Sequence, residues 1–338
     1  MARSALVAVA RGPVAGDVVD NAPVARARMT VGYISHSDCG RHDTGWNHPE
    51  HVGRLRALPR ALRNDFDLFD TIGHREGRHA TADELAVAHD ARYVESVRTI
   101  VEGGGGHLDA DTVASPGSWD AATAAAGCVL DGIDLAFDGS VLRSFCAVRP
   151  PGHHARRSAA MGFCLFGNIG VGAHYARQKR GAERVLIVDW DVHHGNGTQE
   201  LVEQDPGIRF ISMHQWPWYP GTGAVEDRGP HGNVWNVPMA AALAPQLYIE
   251  ALTRGIDAAT ASWTPDLVLV SAGFDCLAGD PLGGFTLEME HIDQLTRLLV
   301  ERATAWCGGR LVSSLEGGYD PARLGDACVT HLRALRER

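Results

Sequence analysis

The 338-residue chain reads as one three-layer α/β domain, a parallel β-sheet with helices on both faces. Three observations predict it. Strand-like apolar runs alternate with amphipathic stretches, the runs are apolar throughout rather than at every second residue, and neither repeat nor linker breaks the rhythm. A strand without a polar side is covered on both faces, and right-handed crossovers place helices there.

The strand-like runs cover 30–36, 144–148, 184–189, 208–213, 267–272 and 310–314. Between them, helical spacing of apolar residues predicts helices over 81–101, 119–137, 168–179, 245–262 and 286–306. The fold begins near Met29 and runs to the last residue as a single domain, 29–338. Upstream, residues 1–28 are rich in Ala, Val and Arg, lack aromatics and keep no period, so a disordered extension is expected there. Met29 is an alternative start, and Asp17 and Asp20 count against a targeting role for what precedes it.

Composition narrows the function classes. With 45% hydrophobic and 21% charged residues, the chain has the make-up of a soluble globular protein with a large core. No apolar stretch reaches the roughly 18 residues of a membrane span, and a cytoplasmic location is expected. Seven cysteines without a Cys-x-x-Cys spacing argue against a disulfide framework and a zinc knuckle, and are expected in the core. A net charge of −10 with no basic cluster excludes nucleic acid as the expected partner and mildly favours cationic substrates. Oligomeric state is left open.

Four distant segments each end an apolar run on a metal ligand or proton carrier: 150–155, 189–199, 272–284 and 315–320. His153, Asp191, Asp275 and Tyr319 thereby fall just past the carboxyl ends of predicted strands, where open α/β sheets bind ligands. Asp191 and His193 stand two apart, so on an extended segment they point the same way. Asp275 is the natural third ligand. Two carboxylates and an imidazole balance a divalent cation and leave positions open for water and substrate, as catalytic zinc requires; iron or cobalt also suits the set.

The tandem imidazoles His153 and His154 are the expected proton carriers, one neutral while the other is charged. Each needs an orienting acceptor, and Asp189 and Asn196 are near enough in sequence to serve. Tyr319 follows Glu316-Gly317-Gly318, a turn that lets its phenol approach a carbonyl oxygen as a donor. Alone, each feature has a plain structural reading: a capping Asp with a core His, a His pair in a loop, a Tyr packed in a turn. All four at strand ends favour chemistry.

These strings resemble the histone deacetylase superfamily, of the arginase-deacetylase fold, and its class II branch and bacterial relatives in particular. The resemblance is carried by Arg149-Pro150-Pro151-Gly152-His153-His154-Ala155, Gly162-Phe163-Cys164-Leu165-Phe166-Gly167-Asn168, the stretch 189–199, Tyr219-Pro220-Gly221-Thr222-Gly223, the stretch 271–284 and Leu315-Glu316-Gly317-Gly318-Tyr319. It extends to His48-Pro49-Glu50, Arg54-Leu55 and Leu108-Asp109-Ala110-Asp111-Thr112, covering nearly everything after residue 29.

The resemblance implies one catalytic zinc on Asp191, His193 and Asp275, with His154 as general base and acid and His153 as its electrostatic partner. Asp189 would orient His153 and Asn196 would orient His154, the amide marking class II. It further implies a structural potassium at Asp189, Asp191, His193, Ser212 and Met213, and a narrow acyl-chain channel lined by Gly162, Phe163, Tyr219 and Leu282. The implied reaction is hydrolysis of an amide to a carboxylate and a free amine.

An acyl-lysine in a protein or peptide is the first substrate expected, an acetylpolyamine or other small N-acyl amine the second. In the polyamine-selective branch a glutamate stands where this chain has Leu282. A rim aspartate that grips peptide backbone has no evident match, because after His89 the chain reads Asp90-Ala91-Arg92-Tyr93, one position off. Trp216, Trp218 and Tyr219 sit in a Pro- and Gly-rich loop suited to the channel mouth. Two readings stand apart: an arginase-like ureohydrolase, whose additional Asp ligands are not found, and a silent acyl-binding sensor or scaffold. The run Gly103 to Gly106 lacks the Lys-Ser/Thr of a phosphate loop and reads as a flexible turn.

Overall fold

Val185–Asp189 and Leu267–Ala272 offer no polar face to water, and both lie inside the sheet with a hydrogen-bonded strand on each side. The structure, a computed structural model, describes residue 1 and residues 31–337; residues 2–28 of the expected disordered extension 1–28 lie outside the described residues. The strands are β1 (Val31–Ser35), β2 (Gly73–Glu76), β3 (Gly106–His107), β4 (Val113–Ala114), β5 (Arg143–Cys146), β6 (Val185–Asp189), β7 (Ile208–Gln215), β8 (Val234–Met239), β9 (Leu267–Ala272) and β10 (Leu311–Leu315). The helices are α1 (Gly53–Arg63), α2 (Phe66–Thr71), α3 (Ala82–Leu85), α4 (Ala91–Glu102), α5 (Ser118–Phe137), α6 (Asn168–Lys179), α7 (Asn196–Val202), α8 (Pro245–Thr260), α9 (Met289–Cys307) and α10 (Pro321–Arg336).

Eight strands form one parallel sheet in the order β2-β1-β5-β10-β9-β6-β7-β8, and β3 and β4 pair as a separate antiparallel ribbon. Along β6 the side chains alternate between two cores. Leu186 and Val188 join one with Leu58, Leu252, Ile292 and Leu332 from α1, α8, α9 and α10, whereas Val185 and Ile187 join the other with Val94, Val129 and Ile169 from α4, α5 and α6. This is the three-layer arrangement read from the apolar runs. All seven cysteines are free and buried. No helix among the described residues is long and apolar enough to cross a membrane.

Two departures from the sequence reading have local causes. The helical pattern over 81–101 is broken: Thr81 and Glu84 form a capping box on the one-turn α3, and the chain turns before α4. The turn delivers His89 to the interior, where its Nε2 accepts the Gly167 amide at 2.9 Å and its Nδ1 donates to the Arg156 carbonyl at 2.9 Å. The edge strand β2, Gly-His-Arg-Glu, was not anticipated, because three of its four residues face water and carry no apolar signal.

Candidate active site

Every segment singled out in the sequence arrives at the carboxyl edge of the sheet. β6 ends at Asp189, β9 at Ala272 and β10 at Leu315, and these three strands are neighbours, so the residues that follow them meet. Asp191, His193 and Asp275 place one donor atom each within 4.8 Å of one another. Asp191 Oδ2 accepts the Gly317 amide at 2.8 Å, and Asp275 Oδ1 accepts the Val192 amide at 2.9 Å, so each carboxylate has an oxygen fixed by the backbone of another segment; Asp191 Oδ1 also takes the His193 amide at 2.9 Å.

The remaining oxygens crowd one imidazole nitrogen. His193 Nδ1 lies 2.9 Å from Asp191 Oδ1 and 3.2 Å from Asp275 Oδ2. One ring atom cannot serve both, and Asp275 Oδ2 is buried without a hydrogen-bond partner. Burial, then the Asp191 charge, pushes the Asp275 carboxyl up to about 7. Two buried carboxylates around one imidazole lack positive charge, which a divalent cation supplies. The surrounding backbone leaves room: a Cβ on Gly317 would strike Asp275 Oδ2 and lie 2.6 Å from Asp191 Oδ2, and one on Gly273 would strike Asp191. The donor set and its cradle therefore fit zinc.

The two histidines of the pair stack with centroids 4.0 Å apart. His153 Nδ1 meets Asp189 Oδ2 at 3.0 Å, and His154 Nδ1 meets Asn196 Oδ1 at 2.7 Å. The Asn196 amide nitrogen faces Met161 Sδ at 3.4 Å, which turns Oδ1 toward the ring. Their environments differ in sign. Burial opposes protonation of His153, but Asp191 and Asp189 outweigh it and raise its pKa well above the usual value. Burial, then the facing His153 and His193, lowers His154 well below it.

Above the histidines a cavity of about 200 Å³ opens to solvent. Gly162, Phe163, Tyr219 and Leu282 line it, with His154, His193 and Tyr319 at its inner end. Gly162 has φ +55°, and a Cβ there would collide with the His154 ring. Phe163 also has a positive φ, 68°, a strained conformation for a bulky residue that sets its ring 6.0 Å from that of Tyr319. Trp218 lines the mouth and Trp216 does not. Burial, with Asp275 and Asp191, drives the Tyr319 phenol well above its normal pKa despite Arg54, so it remains a donor.

Ser212 and Met213 lie on β7, Ser212 in register with Asp189; the Ser212 hydroxyl sits 3.0 Å from His214 Nδ1, and Met213 is in the core. Asp90 stays at the exposed start of α4, away from the cavity, while Asp111 lines the mouth instead, held by the Gly162 amide at 3.2 Å. Sequence reasoning looked for a rim carboxylate after His89, whereas the carboxylate that lines the cavity comes from the string Leu108 to Thr112. It also passed over Glu316, whose Oε2 accepts the amides of Gly152 at 2.6 Å and His153 at 3.1 Å. Asp280 was likewise unassigned, and its Oδ2 accepts the Tyr319 amide at 2.7 Å.

Known proteins resemble this chain in sequence and fold. A family model described as histone deacetylase domain matches residues 48–335. An uncharacterized protein of Synechocystis sp. is 40% identical over 308 residues, covering 90% of this chain and 99% of its own. The histone deacetylase-like amidohydrolase of Pseudomonas aeruginosa is 34% identical over 306 residues, 86% of this chain and 80% of its own. Among solved structures, the crystal structure of the HDA15 HD domain superposes with a TM-score of 0.86 at 35% identity, covering 92% of this chain and 89% of that one. On the match of family model, sequence and fold, the chain belongs to the histone deacetylase family.

Proposed function

We propose that the protein is a zinc-dependent amidohydrolase that removes acetyl or other acyl groups from N-acylated lysine side chains. The observation that carries this reading is the meeting of Asp191, His193 and Asp275 with two differently poised imidazoles at the foot of a narrow cavity. Asp191, His193 and Asp275 would hold the ion, which when bound would polarise an amide carbonyl and lower the pKa of bound water toward about 7.

The chain's own groups do the rest. The alkyl stem of an acylated amine lies between Phe163 and Tyr219, where the walls exclude water. Because His154 Nδ1 donates to Asn196 Oδ1, its Nε2 carries the free lone pair and takes the proton of the attacking water. The same nitrogen returns that proton to the departing amine. Asp189 holds His153, whose positive charge keeps its neighbour neutral at rest. The Tyr319 phenol donates to the carbonyl oxygen as negative charge builds there. Asp111 at the mouth accepts an N–H from the substrate outside the channel. A potassium site at Asp189, Asp191, His193, Ser212 and Met213 belongs to the same reading.

The test is hydrolysis of a fluorogenic acetyl-lysine peptide and of acetylated putrescine side by side, with and without a zinc chelator. Chelator-sensitive turnover of the peptide is expected. Preference for putrescine would move the substrate to small N-acyl amines, and inactivity on both with acyl ligand still bound would favour the silent scaffold.

A further inference from the structure

Among the described residues, a second group of histidine and carboxylate donors meets at the sheet edge. His36 stands just past β1, Asp38 in the 3₁₀ turn Ser37–Arg41, and His79 shortly past β2; one donor atom from each lies within 4.8 Å of the others. The two rings meet edge-on with centroids 4.5 Å apart. Asp38 divides its carboxylate. Its Oδ1 faces Arg41 at 3.5 Å, while Oδ2 lies 3.1 Å from His79 Nε2 and 3.8 Å from His36 Nδ1.

Neighbouring hydrogen bonds set the tautomers. The Thr123 hydroxyl gives its single hydrogen to the helix carbonyls of Trp119 and Asp120, at 2.9 and 3.1 Å. It can therefore only accept from His79 Nδ1, 2.8 Å away, which leaves His79 Nε2 as a lone pair. His36 Nδ1 accepts the Asp38 amide at 3.1 Å, so it too is the unprotonated nitrogen, and an ion bound there would displace that amide from its lone pair. With both rings neutral, three electron-pair donors converge, the nearby Arg41 facing only the other oxygen of Asp38, and a side-chain acceptor behind a ring nitrogen is the usual support of a metal-bound histidine.

We propose that His36, Asp38 and His79 form a second divalent-metal site, distinct from Asp191, His193 and Asp275. Two imidazoles and one carboxylate select a borderline transition ion such as zinc over calcium or magnesium. The side chains are 13%, 25% and 40% exposed in that order, so the ion enters from solvent. His36 also borders an open cavity of about 590 Å³ beside Ser37 and Glu76, with space for water to complete the coordination. The site clips the segment after β1 to the segment after β2, an edge strand whose only sheet partner among the described residues is β1. Ion binding then stabilises the fold in proportion to RT ln(1 + [M]/Kd). The competing occupant is a proton on His79, forming an ion pair with Asp38.

The experiment counts zinc per chain in the full-length protein after chelation, zinc loading and dialysis. Wild type is expected to hold two, His79→Gln one with turnover unchanged, Asp191→Ala one, and the double variant none. Zinc should raise the Tm of Asp191→Ala and leave the double variant unmoved. Asp38→Asn gives a second reading should His79→Gln fold poorly. One zinc per chain in both wild type and His79→Gln overturns the site in favour of the proton. One zinc in wild type that survives Asp191→Ala and is lost in His79→Gln keeps this site and sinks the proposed catalytic one.

Discussion

The Arg54 guanidinium lies over the Tyr319 ring, its Cζ 4.8 Å from the centroid, although 265 positions separate the two residues (319 − 54). The same group donates to the carbonyls of Gly318 and Glu316, both at 2.6 Å, and to Glu50 at 3.1 Å. A buried cation thus fixes both the backbone and the ring of the proposed oxyanion donor. In Arg54→Met these tethers disappear and Glu50 keeps only Arg149 as a guanidinium partner. Turnover should fall at least tenfold at little changed KM, and stability should drop by about 3 kcal/mol, the scale for breaking a buried pair. Wild-type kcat in that variant would contradict the positioning role.

Tyr319→Phe removes the phenol and retains the ring under Arg54. Loss of one oxyanion donor costs on the order of 10² to 10³ in kcat. Steady-state kinetics with an acetyl-lysine peptide checks this, and unimpaired turnover would sink the assignment.

Asn196→Asp replaces a neutral partner of His154 Nδ1 with a charged one. The imidazolium is then stabilised, so His154 becomes more basic and is protonated at higher pH. The acid limb of the pH–rate profile should move upward. An unmoved limb would show that His154 is not the group titrating there.

Gly317→Ala should destroy metal binding with the fold intact, because the new methyl occupies space held by the Asp191 and Asp275 carboxylates. Asp275→Ala should do the same by deleting a ligand. Metal analysis of the purified variants decides both, and a zinc content matching wild type would refute the assigned ligand set.

Acid should unfold the protein well before its carboxylates are all protonated. Burial lowers His42 and His214 to about 4 and His331 to about 3, against 6.5 for an exposed imidazole. Each contributes full stability above pH 6.5 and loses it as pH falls toward its folded value, roughly 3 to 5 kcal/mol apiece as an upper limit. Glu50 acts later. Burial would raise its carboxyl, but Arg149 and then Arg54 hold it at about 2, so its contribution is lost only between 4.5 and 2. Circular dichroism should therefore show cooperative unfolding between pH 4 and 6, and a native signal at pH 3.5 would contradict the scheme.

How far the molecule was readable varied with burial. The six interior strands were legible because a strand covered on both faces is largely apolar along its length, as in residues 185–188. The polar edge strand β2 carried no apolar run, and the helix α1, though its buried Arg54, Leu58 and Leu62 stand four apart, was obscured by the Pro59 inside it. Asp191 and His193 were legible as neighbours on one extended segment, and Asp275 because it closes an apolar strand.

The amino-acid sequence by itself determined the layered sheet, the edge at which ligands gather and the candidate donors along it, since these depend on local periodicity and on which residues follow each strand. Only the tertiary structure decided the partnerships that span the chain: Arg54 over Tyr319, Glu316 under His153, Asp111 at the cavity mouth, and His36 and Asp38 beside His79. Such contacts arise when crossovers bring distant strand ends together, and no short-range pattern records which side chains then meet.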